Sequence, residues 1–103
     1  MSPLEKELES ALLNRYEEWK KIDYRAGFFI RMLKPSDRIY KGPVGTLKHL
    51  LSKTPTERSG FQRLRRVGRL DLTTEALLKD RKWHSLFEEW EIARAAERLR
   101  LGG

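Results

Sequence analysis

The ten-residue segment GFQRLRRVGR, residues 60 to 69, contains four arginines: Arg63, Arg65, Arg66 and Arg69. Arginine carries a permanent positive charge and several N–H donors, so a cluster of this density can contact phosphate groups. One member has a competing role, because Arg69 could pair with the acidic residues that follow it, Asp71 or Glu75. The cluster therefore predicts a phosphate-binding surface with Arg69 as its least certain member.

The net positive charge of the chain is concentrated in residues 25 to 82. The 103 residues have a net charge of +7, and residues 25 to 82 hold fifteen Lys and Arg against five Asp and Glu, whereas both flanking segments are slightly acidic. A positive face attracts phosphate backbones through counterion release. The alternative is that these side chains only solvate short helices and loops. The residues assigned to nucleic-acid binding are Lys34, Arg38, Lys41, Lys48, Arg58, Arg63, Arg65, Arg66 and Arg69.

Residues typical of catalytic or metal sites are scarce. The chain has no cysteine and two histidines, which excludes thiolate chemistry and disulfides and disfavours imidazole metal sites. Asp71 and Glu75 are four residues apart, but a helix-capping role explains both better than acid–base catalysis does. The segment GPVG at residues 42 to 45 lacks the lysine and hydroxyl residues that end a P-loop. We predict no catalytic residue, no metal and no cofactor, and a chain that is not an enzyme.

Helical periodicity positions these residues. Apolar side chains recur at three- and four-residue steps in a first helix that Ser2 caps and Pro3 begins: Leu4, Leu8, Leu12, Tyr16 and Trp19. No run of β-branched residues alternates as a strand would. The pattern predicts an all-α fold of five to seven mostly short helices in a single domain, residues 1 to 103.

The boundaries of the later helices follow from caps and breakers. Asp23 is expected to cap a second helix with Phe29, Met32 and Leu33 inward, ended by Pro35. Gly42 and Pro43 begin a third helix. Ser59 and Gln62 form the capping box of a fourth, which buries Phe61, Leu64 and Val67 and ends at Gly68. Thr73 and Asp80 cap two further turns, and a last helix starts at about Glu89 and ends at Leu101.

The segment between the fourth and fifth helices is predicted to be structural. Leu70 and Leu72 are expected to enter the core from an extended link, while Asp71 accepts from exposed backbone donors and Thr73 caps the next helix. This segment is a poor match to a helix-turn-helix, because the connection is too long and the second helix too short. Sequence-specific reading of the major groove is therefore not expected.

Three segments carry a resemblance that covers most of residues 24 to 100: YRAGFFIRML, GFQRLRRVGRLDLTTEALL and LFEEWEIARAAERL. Together they resemble a family of small, uncharacterised bacterial proteins with a GFxxLxxxxRLDLTxExL core and a final helix rich in Ala and Arg. The chain departs from that pattern between residues 35 and 45. The resemblance supports the helix boundaries above and implies no activity.

Two functions fit these observations. The first is a basic accessory domain that binds DNA or RNA backbone with little sequence preference, within a larger assembly that acts on nucleic acid. The second is a protein-interaction module that docks through its first or last helix, with Trp19 and Trp90 as the contact residues. The longest apolar run is far too short to span a bilayer, and the acidic N-terminal segment lacks the features of a secretory signal, so cytoplasmic localisation without membrane contact is expected.

Overall fold

The computed structural model describes residues 2–34, 40–53 and 60–102, and in these residues the all-α prediction is confirmed, with six α-helices and no strand. None of the helices within these ranges is long and apolar enough to cross a membrane. Two short 3₁₀ segments, Leu70–Leu72 and Arg81–Leu86, connect the later helices. The α-helices are α1 (Pro3–Lys21), α2 (Gly27–Met32), α3 (Pro43–Ser52), α4 (Gly60–Arg66), α5 (Thr74–Leu77) and α6 (Glu89–Gly102).

The chain divides into two compact units, residues 1–50 and 51–103. The first unit contains α1, α2 and all but the last two residues of α3. The second contains the end of α3, both 3₁₀ segments and α4 to α6. The expectation that residues 1 to 103 form one domain stays a prediction.

Helix α1 begins as the sequence predicts. The Ser2 hydroxyl accepts a hydrogen bond from the Glu5 backbone N–H at 3.2 Å, and Pro3 occupies the first helical position. Such a cap satisfies one of the N–H groups that a helix start leaves without an intrahelical partner. Of the predicted apolar stripe, Leu8, Leu12 and Trp19 are buried. The 19-residue length of α1 thus follows from a capped start and a buried stripe.

The end of α1 corrects the role predicted for Asp23. This residue has a φ of +61° and lies in the left-handed position just after the helix, where its N–H donates to the Lys20 carbonyl at 3.1 Å. The Tyr24 N–H donates to the Trp19 carbonyl at 2.8 Å, and the two rings are 5.2 Å apart between centroids. These bonds form a Schellman motif with its usual apolar contact. Asp23 therefore ends α1, and α2 starts four residues later at Gly27 without a side-chain cap.

Close backbone contacts fix the start of α3 within the first unit. The Thr46 hydroxyl is fully buried and donates to the carbonyl oxygens of Met32 and Gly42, each at 2.8 Å. A Cβ atom added at Gly45 would overlap the Tyr40 carbonyl oxygen, so only glycine fits there. The predicted Gly42–Pro43 entrance to this helix is confirmed.

Helix α4 ends as predicted but buries less of its apolar side. Gly68, at φ +73°, occupies the left-handed position, and the Arg69 N–H donates to the Leu64 carbonyl at 2.9 Å. Leu64 is buried, whereas Val67 is 56% exposed, so the prediction that Val67 faces inward is wrong. Because the helical residues stop at Arg66, Val67 lies in the turn and not on the packed side of α4. The predicted Ser59 capping box and the stop at Pro35 fall outside the described residues.

The link to α5 is helical and not extended. Leu70–Leu72 forms a 3₁₀ turn that buries Leu72 and leaves Leu70 half-buried. Thr73 caps α5 as predicted: its hydroxyl accepts from the Ala76 N–H at 3.2 Å and donates to the Leu70 carbonyl at 2.7 Å. One threonine therefore joins the 3₁₀ turn to the helix.

The last two elements also start at acidic caps. As the sequence predicts, Asp80 is a cap: it accepts from the Lys82 N–H at 3.0 Å and begins a 3₁₀ segment. This segment buries Trp83. Before α6, the Glu91 carboxylate accepts from the Glu88 N–H at 2.8 Å while remaining 2% exposed. That hydrogen bond is half of a capping box and offsets the burial of the charge.

Candidate nucleic-acid interface

Helix α4 positions three of the predicted arginines. Leu64 is 1% exposed and fixes which side of the helix is packed, while Arg63, Arg65 and Arg66 are all exposed. Residues three apart on a helix are neighbours, so Arg63 and Arg66 lie next to each other on the outward side. Arg63 and Arg66 therefore occupy neighbouring positions on an exposed side of α4.

Arg65 has a different environment. Its Nε donates to the Gly102 carbonyl at 3.2 Å, and its Nη1 donates to the Gln62 side-chain oxygen at 3.4 Å. Gly102 is the last residue of α6, where helix carbonyls lack intrahelical donors and carry a partial negative charge. Arg65 thus stabilises the end of α6, although the side chain is still exposed.

Arg69 pairs with Asp71, one of the two partners expected for it. Nε and Nη2 donate to the two carboxylate oxygens, each at 3.1 Å, in the parallel two-bond geometry that arginine favours. Their side chains are 44% and 63% exposed. Because the Asp71 carboxylate already binds its guanidinium, Arg69 has less charge to offer a second anion. The expectation that Asp71 also accepts from backbone donors stays a prediction.

The remaining predicted cations belong to other parts of the chain. Lys34 and Lys41 are exposed and Lys48 is half-buried, and all three lie in the first unit. Lys41 has a φ of +57° in the turn before α3. Arg38 and Arg58 lie outside the described residues. Within the second unit, the predicted cations that the structure brings together are those of α4 and Arg69.

The sequence did not indicate the buried ion pair between Glu75 and Arg98. Glu75 is 5% exposed and its Oε2 accepts from Arg98 Nη1 at 3.0 Å, while the Thr74 hydroxyl donates to Oε1 at 2.9 Å. The Arg98 side chain is itself only 11% exposed. The partner of Glu75 is 23 residues away in α6, so no local spacing indicated it. The helix-cap role that the sequence suggested for Glu75 is therefore incomplete.

Arg98 also joins α6 to the end of α3. Its Nη2 donates to the carbonyls of Leu51, at 3.2 Å, and Lys53, and Arg94 Nη1 donates to the Leu51 carbonyl at 2.9 Å. Two guanidinium groups thus satisfy carbonyls where α3 runs out of intrahelical donors. Glu75, Arg94 and Arg98 thus connect α6 to α5 and to the end of α3 within the second unit.

The tryptophans divide into two groups. Trp19 is 3% exposed and packs on Phe29 with ring centroids 4.9 Å apart, and Trp83 is 4% exposed. Trp90 is 46% exposed on α6. Burial removes Trp19 from the surface and leaves Trp90 as the tryptophan with an accessible face among the predicted contact residues.

The histidines are engaged in local contacts. His49 Nε2 lies 3.3 Å from the Tyr40 hydroxyl, with the two rings 4.5 Å apart, and His84 Nε2 lies 2.7 Å from the Leu78 carbonyl oxygen. Within the residues that the structure describes, no group of three or more His, Cys, Asp or Glu side chains could hold a metal ion.

No protein-family model, curated protein or solved structure matches this chain. The resemblance to small bacterial proteins therefore stays a prediction.

Proposed function

We propose that the chain is a cytoplasmic, non-enzymatic accessory protein that binds the phosphate backbone of nucleic acid with little sequence preference, within a larger assembly that acts on DNA or RNA. The observation that carries the proposal is the exposure of three arginines, Arg63, Arg65 and Arg66, on a helix of seven residues. The net charge of +7 adds a long-range attraction to the same kind of partner.

The environment of α4 favours contact with phosphates over the reading of adenine. Direct reading of adenine uses the side-chain amide of Asn or Gln. Gln62 is the residue of α4 with a side-chain amide, and its side-chain oxygen already accepts from Arg65. Arg63 and Arg66, in contrast, project long cationic side chains from one side of the helix, which suits neighbouring phosphates along one strand. Contacts of this kind position a protein on nucleic acid without reading its sequence.

The test removes Arg63 and Arg66 together and compares the variant with a control of equal charge. Arg63→Ala/Arg66→Ala is expected to lose two phosphate contacts, which lowers affinity by about fiftyfold in 0.1 M salt. The control is Lys21→Ala/Arg25→Ala, since those side chains are 70% and 72% exposed at the end of α1. Fluorescence anisotropy measures both variants on a duplex and a single strand of arbitrary sequence.

The two pairs of substitutions separate a site from a general charge effect. If binding depends on net charge alone, both variants lose the same affinity and the assignment to α4 is wrong. If neither variant binds less tightly than the wild type, or if the wild type does not bind at all, the proposed function is overturned. Equal affinity for two unrelated sequences is expected throughout.

A further inference from the structure

Helix α6 has an exposed stripe in which two apolar residues flank one positive and one negative residue. Trp90, Arg94, Glu97 and Leu101 follow at steps of four, three and four residues, the spacing that places side chains along one seam of a coiled coil. Trp90 is 46% and Leu101 65% exposed, and both charged residues between them are exposed as well. We call these four residues the α6 stripe.

The order of residues in the α6 stripe is complementary to its own reverse. Read forward it is apolar, positive, negative, apolar, and read backward it is apolar, negative, positive, apolar. An antiparallel second helix centred between Arg94 and Glu97 would place each Arg94 opposite a Glu97. The same alignment places each Trp90 opposite a Leu101. Symmetric dimers make every such contact twice, so two ion pairs and two apolar contacts result.

We propose that the α6 stripe binds the α6 stripe of a second copy of this chain in an antiparallel pair. A parallel pair would place Arg94 against Arg94 and Glu97 against Glu97, and like charges at such positions select against an alignment. Ala93, exposed beside the stripe, is small and lets two helices approach to about 8–10 Å between axes. This inference is independent of the binding of nucleic acid by α4.

Two residues of the α6 stripe are held in place within the single chain. Trp90 Nε1 donates to Glu88 Oε2 at 2.7 Å, and the Arg94 guanidinium carbon lies 5.1 Å from the Trp90 ring centroid. Arg94 also donates to the Leu51 carbonyl. These contacts reduce the side-chain freedom that would be lost on binding. Glu97 lies 3.9 Å from Arg100, both side chains being largely exposed, and it can exchange this long contact for the second copy's Arg94.

The size of the stripe sets the strength of the pair. From Trp90 to Leu101 the helix rises about 16 Å, or three turns, which is a small contact area for a protein interface. We therefore expect a weak dimer whose dissociation constant is micromolar or higher. Sedimentation velocity over a concentration series up to millimolar measures its dissociation constant.

Glu97→Arg tests the charge pairing. It places an arginine opposite each Arg94, and the dimer dissociation constant is expected to rise by at least about tenfold. Glu89→Arg is the control, because it makes the same change of charge on the same helix at an exposed residue off the stripe. Circular dichroism checks that both variants keep their helix content. A wild type that stays monomeric at every concentration, or equal effects of the two substitutions, overturns the proposal.

Single cysteines test the antiparallel alignment, since the natural chain has none. With the two-fold axis between Arg94 and Glu97, the two copies of position 97 have Cα atoms about 6 Å apart, within reach of a disulfide, while the two copies of position 101 are about 17 Å apart. Glu97→Cys is expected to form a covalent dimer on oxidation and Leu101→Cys is not. Dimers from both variants indicate a parallel pair, and dimers from neither indicate that the stripe does not bind itself; either outcome refutes the proposal.

Discussion

Replacement of Arg98 by alanine is expected to destabilise the second unit strongly. The substitution leaves the Glu75 carboxylate, 5% exposed, without the guanidinium 3.0 Å away, and it also removes donors from the carbonyls of Leu51 and Lys53. Removal of one partner from a buried ion pair costs about 3–5 kcal/mol, because the other charge stays buried. For a chain of this size, each 1 kcal/mol lowers Tm by roughly 4–8 °C. A fall in Tm of at least about 12 °C is therefore expected.

Differential scanning calorimetry or thermal circular dichroism measures this fall, with two comparison variants. Arg100→Ala removes an arginine that is 71% exposed on the same helix, so Tm is expected to change little. Arg98→Lys keeps the charge but loses the planar fork that contacts the carboxylate and the carbonyls at once, so it is expected to recover only part of the stability. If the free energy of unfolding of Arg98→Ala lies within about 1 kcal/mol of that of Arg100→Ala, the buried pair does not stabilise the fold and this reasoning is refuted.

Three other substitutions are expected to change stability by different amounts, each measured by thermal unfolding. Thr73→Ala removes the α5 cap and costs about 1 kcal/mol, and Leu72→Ala leaves a cavity that costs about 2–5 kcal/mol. The nucleic-acid affinity of both folded variants is expected to stay at the wild-type value. A loss of binding by Thr73→Ala would contradict the structural role of this segment. Gly45→Ala forces a Cβ into the Tyr40 carbonyl and should destabilise the first unit severely, so wild-type stability would contradict the packing there. Asp23→Gly should stabilise by up to about 1 kcal/mol, because the left-handed φ of +61° costs a residue with a side chain roughly 1–2 kcal/mol and the greater freedom of glycine in the unfolded chain offsets part of that gain; a lower Tm would contradict this.

Local signals in the sequence predicted the helix boundaries well. Ser2, Thr73 and Asp80 each cap a residue two or three positions ahead, and Gly68 ends α4 through bonds that close within five residues. Interactions of this range depend mainly on residue type and spacing. Asp23 was misassigned because aspartate is favoured both as a helix cap and in the left-handed position after a helix, and the spacing does not choose between them.

Contacts between distant residues could not be predicted in the same way. The Arg69–Asp71 pair joins residues two apart and was expected, whereas Arg65 reaches a carbonyl 37 residues away and Arg98 a carboxylate 23 residues away. Such pairs depend on how helices pack, and several arginines could serve equally well on periodicity alone. The candidate site was therefore located by composition, while the division of its arginines between structural and exposed roles required the structure.

The salt dependence of binding tests the proposed function most directly. If about six phosphates are contacted, the affinity of the wild type for a duplex falls on the order of a thousandfold between 50 and 200 mM salt. A variant with Arg63, Arg65 and Arg66 replaced by alanine retains the Arg69–Asp71 pair and should lose only about fortyfold over the same range, because three contacts are gone. Fluorescence anisotropy titrations at four salt concentrations give both slopes. Equal slopes for the two proteins, or wild-type binding that does not change with salt, would contradict the assignment of α4 as a phosphate-binding surface.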